Sequence, residues 1–146
     1  MNGIPINIKK LMDAAVIPTY ATAGSSGFDL YATEHITVAP YTTELIPTGI
    51  AVSVPFGFEL QVRPRSGMSL NTKMRVANSP GTIDSDYRGE VKVILENSGP
   101  MTYNIKPGDR IAQGVICPIF KAIWREVKEL DETERADGGF GSSDKI

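Results

Sequence analysis

Gly81-Thr82-Ile83-Asp84-Ser85-Asp86-Tyr87-Arg88-Gly89-Glu90 lies between two stretches of strand character, and an apolar run at 91–95 follows it at once. Turn residues fill its interior, and the bracketing glycines permit backbone shapes and close approaches that a Cβ would block. The simplest reading is a β-hairpin whose mouth presents Asp84 and Tyr87 to a ligand. A carboxylate in that place can orient and deprotonate a water, and a phenol can lay a flat ring against a sugar or base. An Asp-rich turn that only joins two strands has the same composition, so the rest of the chain has to decide between the two.

Moving outward, the same short alternation recurs. Phe58, Leu60 and Val62 alternate with Glu59, Gln61 and Arg63; Ile4, Ile6 and Ile8 alternate with polar or turn residues; 101–105 does the same. A period of two marks half-buried strands. The runs at 91–95 and 111–119 read as more deeply buried. The 10 prolines are spread along the chain, and no long helical pattern survives between them. Short strands separated by Gly, Pro, Asn and Asp turns predict an all-β fold, a jelly roll or distorted barrel. One short helix is expected around 66–73, with Ser66 as its cap. The domain is expected to span 1–124. A charged linker and Gly-rich tail, 125–146, then follow, too poor in apolar residues to hold themselves folded and so expected to be flexible. Phe140 among glycines can stack on a flat ligand, and the N–H groups of Gly141, Ser142 and Ser143 can wrap phosphate.

The chain of 146 residues, 41% hydrophobic and 22% charged, suits one globular domain. A net charge of −2 argues against general nucleic-acid binding, so any phosphate must be held by a few aimed donors. No apolar run approaches the roughly 20 residues that cross a bilayer, so no membrane partner is expected. The start lacks the basic and apolar regions of a signal peptide, and the single Cys117 cannot form an internal disulfide. Both lead us to expect a cytoplasmic protein.

Three further segments carry chemistry. Arg63-Pro64-Arg65-Ser66-Gly67 ends a strand and opens the short helix, where backbone N–H groups, a forked guanidinium and a hydroxyl converge in a way suited to phosphate. Ser26-Gly27-Phe28-Asp29-Leu30 sets an acid inside an apolar strand, where it needs an arginine or the waters of a metal as partner. Pro107-Gly108-Asp109-Arg110-Ile111-Ala112-Gln113 is a turn followed by a strand, with Gln113 able to orient a water or a phosphate oxygen. His35 has no cysteine or acid at metal-ligand spacing and reads as a surface residue, while Cys117 reads as a small buried hydrophobe. No Gly-x-Ser-x-Gly elbow and no P-loop pattern occurs.

Taken in order, these segments resemble the five motifs of the trimeric dUTPase family: 26–32, 63–67, 78–90, 108–113 and 135–143. In the last of them Ala136 stands where that motif usually has glycine. The resemblance implies a jelly-roll subunit, a homotrimer with active sites shared between subunits, and conversion of dUTP and water to dUMP and pyrophosphate with Mg²⁺ on the triphosphate. The role so implied is to limit uracil in DNA and to supply the dTMP precursor. Residue by residue, Asp84 matches the general base that polarises water for attack on the α-phosphorus. Arg65, Ser66, Gly67, Gln113, Arg135, Gly141, Ser142 and Ser143 match the phosphate-holding positions. Asn78, Thr82, Ile83 and Asp84 match the positions that read the uracil edge, Lys92 a nucleotide-contact position, Tyr87 the sugar gate, and Phe140 the ring that closes over uracil. Asp29 matches an acid that meets the metal through water. The dCTP deaminases share the fold but call for a different catalytic acid and phosphate motif. A non-catalytic nucleotide-binding jelly roll has no need of Asp84.

Overall fold

A computed structural model describes residues 3–140 of the chain. It is an antiparallel β fold with one short helix. In chain order the elements are β1 (Asn7–Lys10), β2 (Phe28–Tyr31), β3 (Ile36–Val38), β4 (Thr43–Ser53), β5 (Phe58–Arg63), α1 (Ser66–Asn71), β6 (Met74–Val76), β7 (Gly81–Ile83), β8 (Glu90–Asn97), β9 (Tyr103–Ile105) and β10 (Arg110–Pro118). They form a four-stranded sheet in the order β1-β4-β8-β6, a second in the order β2-β10-β5-β7, and a β3-β9 ribbon.

Alternation explains the layers. In β8, Val91, Val93 and Leu95 are fully buried while Lys92 and Glu96 face out. In β5, Leu60 and Val62 turn inward and Gln61 and Arg63 outward. One core cluster takes residues from both four-stranded sheets and from the ribbon, among them Leu30, Val38, Ile46, Leu60, Met74, Ile105 and Ile111. Each such side chain contributes about 1.5–3 kcal/mol by leaving water. Asn97 is the fully buried polar exception. Its amide donates to the carbonyls of Val38 (3.3 Å), Ala39 (3.0 Å) and Met101 (2.6 Å), and its Oδ1 accepts the Gly99 N–H at 3.0 Å.

Three expectations change on contact with the structure. The stretch 81–90 is not the mouth of a hairpin. β7 pairs with β5, and β8 pairs with β4 and β6, so the segment between them is a corner joining the two sheets. Ser66 does not cap α1. It is the first helical residue, the extended Arg65 precedes it, and no side-chain cap bond forms. The helix ends at Asn71, where the chain turns extended at Thr72, whose hydroxyl donates back to the Met68 carbonyl at 2.6 Å. Cys117 is half-buried rather than sealed in the core, and its sulfur lies 3.4 Å from Arg63 Nη2. Beyond β10 no further strand or helix forms among the described residues, and Phe120, Ile123, Trp124 and Leu130 are almost wholly exposed. No helix among them is long and apolar enough to cross a membrane.

Candidate active site

The corner makes the first cleft. The Tyr87 N–H closes a tight turn on the Asp84 carbonyl at 3.2 Å, and the Arg88 guanidinium donates to the carbonyls of Ser85 (2.7 Å) and Tyr87 (2.9 Å). The Tyr87 hydroxyl donates to the Glu90 carbonyl at 3.0 Å, and its ring lies so close over Gly89 that a Cβ there would strike it. Glycine at 89 is therefore what lets the phenol fold back as a wall. Asn78, Thr82, Ile83, Asp84, Tyr87 and Lys92 come together around an open cleft of about 270 Å³. That volume falls just below the roughly 300–1,000 Å³ typical of small-molecule sites. Every ion pair among the described residues uses Asp29 or Glu90, so the exposed Asp84 carboxylate is unpaired in the cleft.

A second cleft opens beside α1 and the ends of β5 and β10. Gln61, Arg63, Ser66, Ser69 and Gln113 line it. Gln113 stands opposite both Asp29 and Arg63 in the strand register, and its Nε2 donates to the Pro64 carbonyl at 2.8 Å. Close by, Arg65 Nε meets Asp29 Oδ1 at 2.8 Å, and Arg110 Nη1 lies 3.4 Å from Asp29 Oδ2. The buried-strand acid thus has guanidinium partners, and Arg65 keeps further donors of its fork for an anion. Gly67 is exposed on α1 next to Ser66.

The two clefts share no lining residue. β5 gives Val62 to the first and Gln61 and Arg63 to the second, and alternate strand residues point to opposite faces. One copy of the chain therefore separates the Asp84 group from the Arg65 and Gln113 group. Arg135 and Phe140 line neither cleft. Arg135 Nε donates to the Gly138 carbonyl at 2.8 Å, and Phe140 is fully exposed. Gly141, Ser142 and Ser143 lie outside the described residues.

Sequence reasoning assigned no site role to Leu45 and Ile94 in the first cleft or to Gln61 and Ser69 in the second, and met Glu90, Arg63 and Ser79 only inside longer motifs. The alternation of 90, 92 and 94 on one face of β8 was the available signal for Glu90 and Ile94, once Lys92 was singled out. No group of three His, Cys, Asp or Glu side chains converges to hold a metal among the described residues.

Comparison with known proteins places this geometry in a family. The family model described as dUTPase matches residues 13–144. The chain is 52% identical over 138 residues to the deoxyuridine 5'-triphosphate nucleotidohydrolase of Helicobacter pylori (strain P12), covering 94% of this chain and 95% of that one. It is similar in structure to a variant of the dUTPase of Staphylococcus bacteriophage 80alpha solved with dUpNHpp, with a TM-score of 0.89, 27% identity, and coverage of 95% of this chain and 98% of that one. It also resembles the dUTPase of S. aureus phage phi11, described with a structural Mg(II) ion, with a TM-score of 0.81, 25% identity, and coverage of 86% and 98%. The family match takes in both clefts and every strand after β1, and the chain belongs to the dUTPase family, whose members are dUTP diphosphatases.

Proposed function

We propose that this chain hydrolyses dUTP to dUMP and pyrophosphate, with the nucleoside held in the first cleft and Asp84 as the base. The observation that carries this reading is the unpaired Asp84 carboxylate in a cleft that Tyr87 and Lys92 also line. A carboxylate so placed can accept a proton from a water aligned for in-line attack on the α-phosphorus, and the pyrophosphate leaves from the opposite side. Catalysis is then mainly alignment and charge stabilisation.

Selectivity follows from the walls. The backbone around Asn78, Thr82 and Ile83 offers amide donors and acceptors to the uracil edge, and cytosine presents the reversed pattern at two positions. Each buried amide left unpaired costs about 1–3 kcal/mol. A tight fit of the base at the corner would exclude thymine's methyl group. Tyr87, held by Glu90 and seated on Gly89, would collide with a ribose 2′-hydroxyl.

The phosphates go to Arg65, Ser66, Gly67 and Gln113; in one copy Ser66 and Gln113 line the other cleft, and Arg65 and Gly67 flank Ser66 in the chain. That separation supports a site completed between copies, as in a homotrimer with shared active sites. Arg135, Phe140, Gly141, Ser142 and Ser143 close over the nucleotide in the same reading, with Phe140 on the base. Its full exposure in the single chain leaves it available for that role. The ion of such a site keeps several of its waters and is carried largely by the substrate phosphates. Mg²⁺ bound there would neutralise phosphate charge, with Asp29 reaching its waters from beside Arg65. A cytoplasmic enzyme of this kind would limit uracil in DNA and supply the dTMP precursor.

The deciding assay is pyrophosphate release, with Mg²⁺ present, from dUTP, dCTP, dTTP and UTP in parallel. Turnover of dUTP alone is expected. Ammonia released from dCTP would move the chain to deaminase chemistry, and dUTP bound without turnover would leave only a binding module.

A further inference from the structure

One wall of the first cleft belongs to β8, whose outward residues Glu90, Lys92 and Ile94 alternate with the buried Val91, Val93 and Leu95. Glu90 is the half-buried member, with its side chain 23% exposed. Its two oxygens have different partners. Oε1 accepts the Gly49 N–H at 2.8 Å, and Oε2 lies 3.5 Å from Lys92 Nζ.

Gly49 is where β4 breaks step with β8. The pairing shifts between Pro47 and Ala51, and Gly49 has a φ of +68°. A Cβ there would run into Ala15, Met12 and Thr33, so the position needs glycine for space as well as for conformation. A bulge leaves its extra residue without a ladder partner. Here side chains supply the ties: the buried Thr48 hydroxyl donates to the Val91 carbonyl, and Glu90 takes the Gly49 N–H. A buried N–H is thus satisfied by a residue that lines the ligand cleft. The Glu90 carbonyl also receives the Tyr87 hydroxyl. The corner, the bulge and Lys92 therefore meet at a single residue.

We propose that Glu90 is a positioning residue for nucleoside binding: one carboxylate oxygen holds the β4 bulge at Gly49, the other holds the Lys92 ammonium, and together they set the β8 wall against which base and sugar rest. The inference rests on the reading that this cleft takes the nucleoside of dUTP. The Glu90–Lys92 pair is partly exposed, so its worth lies in where it keeps Lys92 rather than in stability.

The test uses the full chain with dUMP as the probe, titrated by calorimetry, alongside thermal melting and dUTP turnover. Glu90→Gln keeps an oxygen for Gly49 but removes the charge that faces Lys92, and Glu90→Ala removes both. We expect dUMP binding to weaken about threefold in Glu90→Gln and about tenfold in Glu90→Ala, with the KM for dUTP rising in step and kcat changing less than KM. Glu90→Gln should melt close to the parent, and the double variant Glu90→Gln/Lys92→Met should bind dUMP no more weakly than the worse single variant. Unchanged dUMP affinity in both Glu90 variants would overturn the proposal. So would additive losses in the double variant, or a loss confined to Glu90→Ala that simply follows its lower melting temperature. A parent protein that binds dUMP without hydrolysing dUTP would defeat the catalytic reading alone, and the same titrations would still judge Glu90. A parent that does not bind dUMP would overturn the role of Glu90 itself.

Discussion

Arg65 reaches across from the end of β5 to place Nε 2.8 Å from Asp29 Oδ1 on β2, two strands away in the sheet order β2-β10-β5. Arg110 approaches the other oxygen at 3.4 Å, so one acid orients two guanidinium groups at the edge of the second cleft. Asp29→Asn keeps the shape and removes the charge. The pair is only about a quarter exposed (26% and 22%), so losing the charge costs some stability, which the hydrogen bonds kept by Asn limit. The expected result is a melting temperature within a few degrees of the parent and a KM for dUTP about tenfold higher. Steady-state kinetics beside a thermal melt check it, and an unchanged KM would detach Asp29 from phosphate binding.

Asp84→Asn should bind dUTP nearly as well as the parent while kcat falls by about 10²–10⁴, the span usual for loss of a general base. Single-turnover measurement separates the two steps. A variant that turns over at close to the parent rate would remove Asp84 from the role of base.

Deleting residues 135–146 should abolish most turnover and leave the β fold and the oligomeric state as they were, because β10 already ends at Pro118. Circular dichroism and light scattering would follow the fold and assembly, and pyrophosphate release the activity. Full turnover by the shortened chain would refute closure by the tail.

Asn97→Ala offers a test of the fold that is independent of the site. The side chain is fully buried and satisfies three carbonyls and the Gly99 N–H, tying the segment after β3 to the segment after β8. Truncation leaves the buried Val38 carbonyl and Gly99 N–H, and two part-buried carbonyls, without this partner, at about 1–3 kcal/mol for each buried group, so a loss of roughly 3 kcal/mol is expected in urea unfolding. A loss below about 1 kcal/mol would mean that water takes over those bonds.

Much of this was legible in the residues. Alternation along 58–63 determined β5, with the buried and exposed faces as observed, because side-chain direction in a strand is a local consequence of the backbone; the run at 91–95, read as more deeply buried, is a strand that buries one face only, with Lys92 exposed. The order of the motifs likewise pointed to the family that the match over 13–144 supports. What stayed hidden was partnership. The 81–90 stretch has the composition of a hairpin, yet β7 joins β5 and β8 joins β4, because strand partners are chosen by which apolar faces close a common core. The same long-range choice tied Asp29 to Arg65, brought Gly49 under Glu90, and set Asp84 and Gln113 in different clefts of one chain. Local pattern was enough to determine the strands and the chemistry they carry, whereas only tertiary packing, which joins residues far apart in sequence, decided which of those groups meet.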